Sequence, residues 1–141
     1  MAPTIQPPAR RKTRQRDVIR EVFLSARRPL GPQEVVAAAQ KALPSVGIAT
    51  VYRALKQLLG EGWLVPVGIA GGTRYELAET GHHHHFHCLD CDKAFNVPGC
   101  AGNVQKLVPS GFVIANHELT LSGTCRWCTE RRGGAIHDRA V

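Results

Sequence analysis

The sequence predicts an α+β chain in two parts, an N-terminal winged helix-turn-helix and a smaller mixed unit organised by cysteine and histidine. Three observations carry this expectation. Three segments before residue 60 repeat apolar residues at helical spacing, and a glycine-tipped pair of short apolar runs follows them. Two Cys-x-x-Cys pairs stand at 88–91 and 125–128. Charge is segregated as well: of the formal +7, residues 1–66 hold 11 Lys/Arg against 4 Asp/Glu, whereas residues 67–141 hold 7 of each together with all seven histidines and all five cysteines.

Residues 1–12 are proline-rich and end in Arg10-Arg11-Lys12, which reads as a disordered basic arm. Thr13 is the expected N-cap of a first helix whose apolar positions are Val18, Ile19, Val22 and Phe23, ending at Arg27-Arg28-Pro29. Gly31-Pro32 opens a second, with Pro32 suited to the first helical position. Its buried face is Val35, Val36, Ala39 and Leu43, and Pro44 stops it. A third helix is expected from about Gly47 to Leu59, with Ile48, Val51, Leu55 and Leu58 in one stripe. Ala49, Arg53 and Lys56 lie on another face, flanked by Thr50, Tyr52 and Gln57. Residues 63–67 and 73–77 read as two strands joined by a turn over 68–72. Three short helices and such a hairpin make a winged helix over residues 13–78, in which the third helix enters the major groove of DNA. A basic half without an apolar amphipathic anchor suggests nucleic acid rather than membrane. Three amphipathic helices also build protein-binding modules, and a basic face can simply be solvated.

No apolar run approaches the roughly 18 residues of a membrane span, and the N-terminus lacks an apolar signal core. The expected compartment is the cytoplasm, where paired cysteines are metal ligands more often than disulfides. Cys88, Cys91, Cys125 and Cys128 form two knuckles separated by 33 residues, and four thiolates suit a tetrahedral Zn²⁺. The alternative is an oxidisable dithiol pair. One Zn²⁺ on four thiolates sums to about −2. The run His82-His83-His84-His85-Phe86-His87 abuts the first knuckle. On a strand, His82 and His84 face one way and His83, His85 and His87 the other. Glu76 is a candidate carboxylate partner, and His117 opens a second alternating stretch. Imidazole and carboxylate together suit zinc, iron, nickel or manganese.

At residues 13–128 the chain resembles the ferric uptake regulator family. The resemblance rests on Thr13-Arg14-Gln15-Arg16, on residues 47–55 (GIATVYRAL), on Arg74-Tyr75-Glu76-Leu77, on the histidine run into Cys88 and Cys91, and on His117 with Gly123-Thr124-Cys125 and Cys128. It implies a homodimer with a winged-helix domain and a C-terminal α+β dimerisation domain over residues 79–132, with 133–141 a disordered tail. It implies a metal-loaded repressor of uptake genes bound to a palindromic operator. By position it implies a structural zinc at Cys88, Cys91, Cys125 and Cys128, a sensing site at Glu76, His83 and His85, and a further site at His82, His84 and His117. The second, regulatory ion is then Zn²⁺ or Fe²⁺. Arg11, Lys12 and Arg16 fall near its phosphate-contacting patch, and Thr50, Tyr52 and Arg53 on its recognition helix. Three positions depart from the pattern: Pro29, Asn96 and Asn103 stand where many members carry a histidine and two acidic ligands. Cys100 either completes a depleted ligand set, favouring zinc over iron, or is a small buried apolar residue. Peroxide sensing within the family and a zinc-thiol redox switch without DNA binding are the competing functions. No catalytic pattern of the zinc deaminase, Gly-x-Ser-x-Gly or phosphate-loop type occurs, and no enzyme is expected.

Overall fold

The computed structural model describes the backbone of residues 8–133 and the side chains of residues 11–133. Residues 1–7 of the expected arm and 134–141 of the expected tail lie outside the described residues. There are two compact units, one of residues up to 68 with 72–80, the other of 69–71 with residues from 81 onward.

The first unit contains α1 (Pro8–Ala26), α2 (Pro32–Ala39), α3 (Ile48–Gly60), β1 (Leu64–Ile69) except its last residue, and β2 (Gly72–Leu77). α1 begins earlier than its sequence suggests: residues 8–12 form its first turns instead of a disordered arm, and Thr13 lies within the helix rather than capping it. A proline is tolerated in the first turn, where its missing N–H would be unsatisfied anyway, and Ala9-Arg10-Arg11-Lys12 are strong helix formers. α2 opens at Pro32 behind Gly31, whose N–H donates to Glu34 Oε2 at 2.9 Å. It stops at Ala39, short of Pro44, and Leu43 is brought in by a turn whose N–H donates to the Ala39 carbonyl at 2.9 Å. α3 runs one residue beyond its expected end and turns Val51, Ala54, Leu55 and Leu58 inward. Ile48, assigned to that stripe, is instead 37% exposed, because the first turn of α3 projects beyond the core.

Ile19 and Phe23 of α1, Val35 and Ala39 of α2 and the α3 stripe close one apolar core with Leu64. Trp63 precedes β1, meets Phe23 edge-on at 6.3 Å between centroids, and lies under the Arg20 guanidinium at 4.8 Å. β1 and β2 form the wing, and Leu30 and Tyr75 exchange two backbone hydrogen bonds of 2.9 Å that extend it by a bridge. Glu34 accepts from Arg28 at 2.7 Å and from the buried Arg74 of β2 at 3.3 Å, which ties the start of α2 to the wing.

The second unit is a three-stranded sheet of order β4-β3-β5, with β3 (His84–Cys88), β4 (Ala94–Val97) and β5 (Thr120–Gly123), closed by α4 (Arg126–Arg131). β3 is antiparallel to β4 and parallel to β5. A 3-10 turn, Val104–Leu107, is the one regular element described between β4 and β5. The buried core of this unit consists largely of Cys88, Cys125 and Cys128, with Phe86, Cys91 and Phe95 packed against them. So small an apolar core is the condition under which a metal or a partner subunit is needed for stability. Among the described residues no helix is long and apolar enough to cross a membrane.

Phe23→Ala should destabilise the first unit by about 3–5 kcal/mol, as expected for a fully buried aromatic. Tyr52→Ala, at 54% exposure, should change stability by less than about 0.5 kcal/mol. Urea unfolding followed by Trp63 fluorescence in a Trp127→Phe background measures both, and equal losses would refute the assignment of core and face.

Candidate metal centres and nucleic-acid face

The thiolate cluster is assembled by two local devices and one ladder. The first knuckle turns between Cys88 and Asp92, whose N–H donates to the Cys88 carbonyl at 2.9 Å. Asp92 closes it in the left-handed region at φ +62°, a conformation that Asp and Asn adopt more readily than other non-glycine residues. The second knuckle is the start of α4: Cys125 is its N-cap and Cys128 lies in its first turn. Parallel pairing sets Cys88 beside Gly123, and the Leu89 N–H donates to the Gly123 carbonyl at 2.8 Å. A Cβ at position 123 would sit 3.3 Å from the Phe86 ring, so glycine permits this close approach. Phe95 stacks on Trp127 at 5.4 Å between centroids and, like Phe86, packs against the cysteine cluster.

All four sulfurs lie within 4.8 Å of one another, and Cys91 and Cys125 are 3.9 Å apart. A tetrahedral ion with metal–sulfur bonds of about 2.3 Å requires sulfurs about 3.8 Å apart, so the four fit it. Burial works against ionisation of Cys88, but the backbone at Cys91, Cys125 and Asp90 hydrogen-bonds to its sulfur and brings the thiol down to about 6. Burial, reinforced by the three other thiols, pushes Cys91 up to about 12. Four thiols this close together oppose one another's ionisation, and a bound cation would offset that repulsion. Arg131 Nη2 donates to Cys128 Sγ at 2.9 Å and brings positive charge to the cluster's edge.

The histidine run divides by strand alternation. His83 and His85 approach on one face with Nε2 atoms 3.0 Å apart. Across the sheet, His85 is registered against Asn96 on β4. Glu76 is buried on β2, in the first unit. On the opposite face, His82, the buried His84, His117 and Cys100 present donor atoms within 4.8 Å of one another. Burial first, then the neighbouring histidines His82, His117, His83 and His85, lower the pKa of His84. Cys100 is exposed, so it is not the packed apolar residue that was one of its two readings. Asn103 caps the 3-10 turn, its Oδ1 accepting from the Gln105 N–H at 3.2 Å.

His87 belongs to neither cluster. Its Nε2 lies 2.6 Å from Asp92 Oδ1, and its Nδ1 is buried without a partner among the described residues. Strand alternation, which groups His87 with His83 and His85, does not reveal this pair. The available signal was an aspartate directly after the second cysteine, where the tight turn favours glycine.

On the first unit, α3 exposes Tyr52, Arg53, Lys56 and Gln57 on the side opposite its buried stripe. Arg53 Nη2 donates to Thr50 Oγ1 at 3.2 Å, which orders the guanidinium along the helix. Arg11 and Lys12 are exposed on α1. Arg16, by contrast, is ion-paired to Glu61 and is less available to a phosphate than its two neighbours.

The family model described as the ferric uptake regulator family matches residues 9–122. The ferric uptake regulation protein of Campylobacter jejuni is 29% identical over 126 residues, which cover 85% of this chain and 80% of that protein. The Helicobacter pylori ferric uptake regulator superposes with a TM-score of 0.61 at 24% identity, over 82% of this chain and 80% of that one. The Pseudomonas aeruginosa ferric uptake regulator solved with manganese superposes with a TM-score of 0.53 at 29% identity, over 79% and 87% of the respective chains.

A closed thiolate site contributes about 10 kcal/mol or more of apparent binding free energy, so one ion per chain should survive dialysis against a mild chelator. Cys88→Ser and Cys125→Ser should each lose that ion, read by elemental analysis. Retention of a full equivalent by either variant would show that the four sulfurs are not a single site.

Proposed function

The chain belongs to the ferric uptake regulator family, and from that premise we propose that it is a metal-dependent, DNA-binding repressor of metal uptake or homeostasis genes. In this reading a metal-loaded homodimer binds a palindromic operator in the cytoplasm. The observation that carries it is the exposed Tyr52–Arg53 face of α3, on the half of the chain that holds the whole +7 charge. An Arg side chain on a recognition helix can donate two hydrogen bonds to a guanine edge, and a basic surface around it supplies the phosphate affinity. Arg11 and Lys12 serve the phosphates, and Thr50 steadies Arg53.

Support for the homodimer comes from the second unit, which exposes Leu107, Phe112, Val113 and Leu121 while burying mainly thiols of its own. Exposed apolar groups on a unit with so small a core are what a subunit interface covers. The four cysteines hold a structural Zn²⁺. Following the family pattern, Glu76, His83 and His85 are assigned to the regulatory ion, Zn²⁺ or Fe²⁺, and His82, His84 and His117 to a further ion. An ion taken by residues of both the winged helix and the histidine strand biases where the two reading heads of a dimer stand, and half-site spacing makes that decisive. By linkage, DNA then tightens metal binding by the factor by which metal tightens DNA, typically about 1–3 kcal/mol.

Operator affinity should fall steeply with salt, with a slope that decreases when Arg11 and Lys12 are replaced by alanine. Arg53→Ala should cost about 1–3 kcal/mol on a selected operator and much less on random DNA. Fluorescence anisotropy with Zn²⁺, Fe²⁺ or Mn²⁺ measures each, and an unaltered operator preference in Arg53→Ala would refute the recognition helix. His85→Ala should keep the thiolate-bound ion but lose metal-dependent operator binding. A normal metal response in that variant would displace the regulatory site from His85.

A further inference from the structure

The second histidine cluster contains a donor that the family pattern does not supply. His84 Nε2 and His117 Nε2 are 3.2 Å apart, and Cys100 Sγ lies 3.4 Å from the first and 3.3 Å from the second. A tetrahedral Zn²⁺ with bonds of about 2.0 Å to nitrogen and 2.3 Å to sulfur places two nitrogens about 3.3 Å apart and nitrogen and sulfur about 3.5 Å apart. The three atoms therefore trace one face of a zinc tetrahedron. His82 closes the fourth corner: its ring centroid is 4.8 Å from that of His84 and 4.9 Å from that of His117, and all four donor atoms lie within 4.8 Å.

We propose that Cys100 is the fourth ligand of this site, and that the resulting His₃Cys set makes it a zinc site that discriminates against Fe²⁺ and Mn²⁺. The donors come from three separate segments: the start of β3 with the residues before it, the loop after β4 and the approach to β5. A hydrophobic reason for the convergence of Cys100 on two imidazoles is absent, since the thiol is exposed. The nearby amide that falls at the family's acidic position, Asn103, is occupied in capping the 3-10 turn. The loop that carries Cys100 holds Pro98, Gly99 and Gly102, and Gly102 lies in the left-handed region at φ +87°. One thiolate and three neutral imidazoles leave a Zn²⁺ complex at about +1, and a closed four-donor set offers no place for the additional oxygen ligands that Mn²⁺ prefers. The ion also closes the segment from Cys100 to His117 against the sheet, a stretch that otherwise has one 3-10 turn of regular structure among the described residues.

The biological meaning of this assignment rests on the repressor reading, but its chemistry rests on the four side chains, and the two fail separately. The test uses the full chain carrying its thiolate-bound zinc, titrated with Co²⁺ in the absence of DNA. The expected result is a sulfur-to-cobalt charge-transfer band in the near ultraviolet together with tetrahedral visible bands. A cobalt ion bound only by histidine and carboxylate gives no such charge-transfer band. In Cys100→Ser the band should vanish. Zn²⁺ affinity at this site should fall by about 100-fold or more, since even outer-shell partners are worth about 10–100-fold, while Mn²⁺ affinity should hardly change. As a check independent of that variant's folding, one added equivalent of Zn²⁺ should protect Cys100 from iodoacetamide in the unaltered protein and not in His117→Ala. Cobalt binding without the charge-transfer band, a band that persists in Cys100→Ser, or alkylation of Cys100 at the same rate with and without Zn²⁺ would each overturn the assignment. An intact band with no operator binding in any metal state would support the assignment while removing the repressor reading.

Discussion

A parallel ladder of four residue pairs joins β3 to β5, from His85 beside Thr120 to Cys88 beside Gly123. Both donor clusters of the second unit lie along it. At its far end the chain enters α4, and Cys125 and Cys128 arrive next to Cys88 and Cys91. At its near end the approach to β5 carries His117 next to His84. A slip of one residue would exchange the two faces of β3, turning His84 away from His117 and Cys88 away from the other thiols. Register here is set by ligand placement as much as by apolar burial, since the unit buries little apolar surface except around its sulfurs.

The two halves of the chain are stabilised by different physics. The winged helix closes an ordinary apolar core around Phe23, Leu55 and Leu58, trimmed by the Arg28–Glu34–Arg74 network. The second unit converges like-charged or mutually repulsive donors, which is favourable only with a cation between them. A Zn²⁺ on four thiolates would leave about −2, eased by Arg131 at Cys128, whereas the proposed set of three imidazoles and one thiolate would leave about +1. Two such centres would differ in net charge and in hardness.

The three departures from the family pattern have separate explanations. Pro29 is buried in the loop between α1 and α2, where it shapes the approach to the Leu30–Tyr75 bridge. Asn96 faces His85 across the β3–β4 ladder and keeps the position of an acidic ligand without its charge. Asn103 caps the 3-10 turn, and Cys100 Sγ stands within 3.4 Å of His84 and 3.3 Å of His117. As a ligand there, a thiolate would be a softer donor than a carboxylate.

The sequence by itself determined whatever depends on local period. The 3.6-residue repeat of Val51, Leu55 and Leu58 marked the buried side of α3 and left Arg53 exposed. The two-residue repeat of the histidine run separated His82 and His84 from His83 and His85. The Cys-x-x-Cys spacing marked two knuckles whose sulfurs point the same way. Tertiary structure decided what depends on distance along the chain. Cys100 meets His117 across 17 residues, Cys91 meets Cys125 across 34, and Arg16 is taken by Glu61 across 45. His87 found Asp92 only once the knuckle had turned. Periodicity states which face a side chain occupies, whereas strand register and loop path decide what stands opposite that face, and neither is written in any short window of sequence.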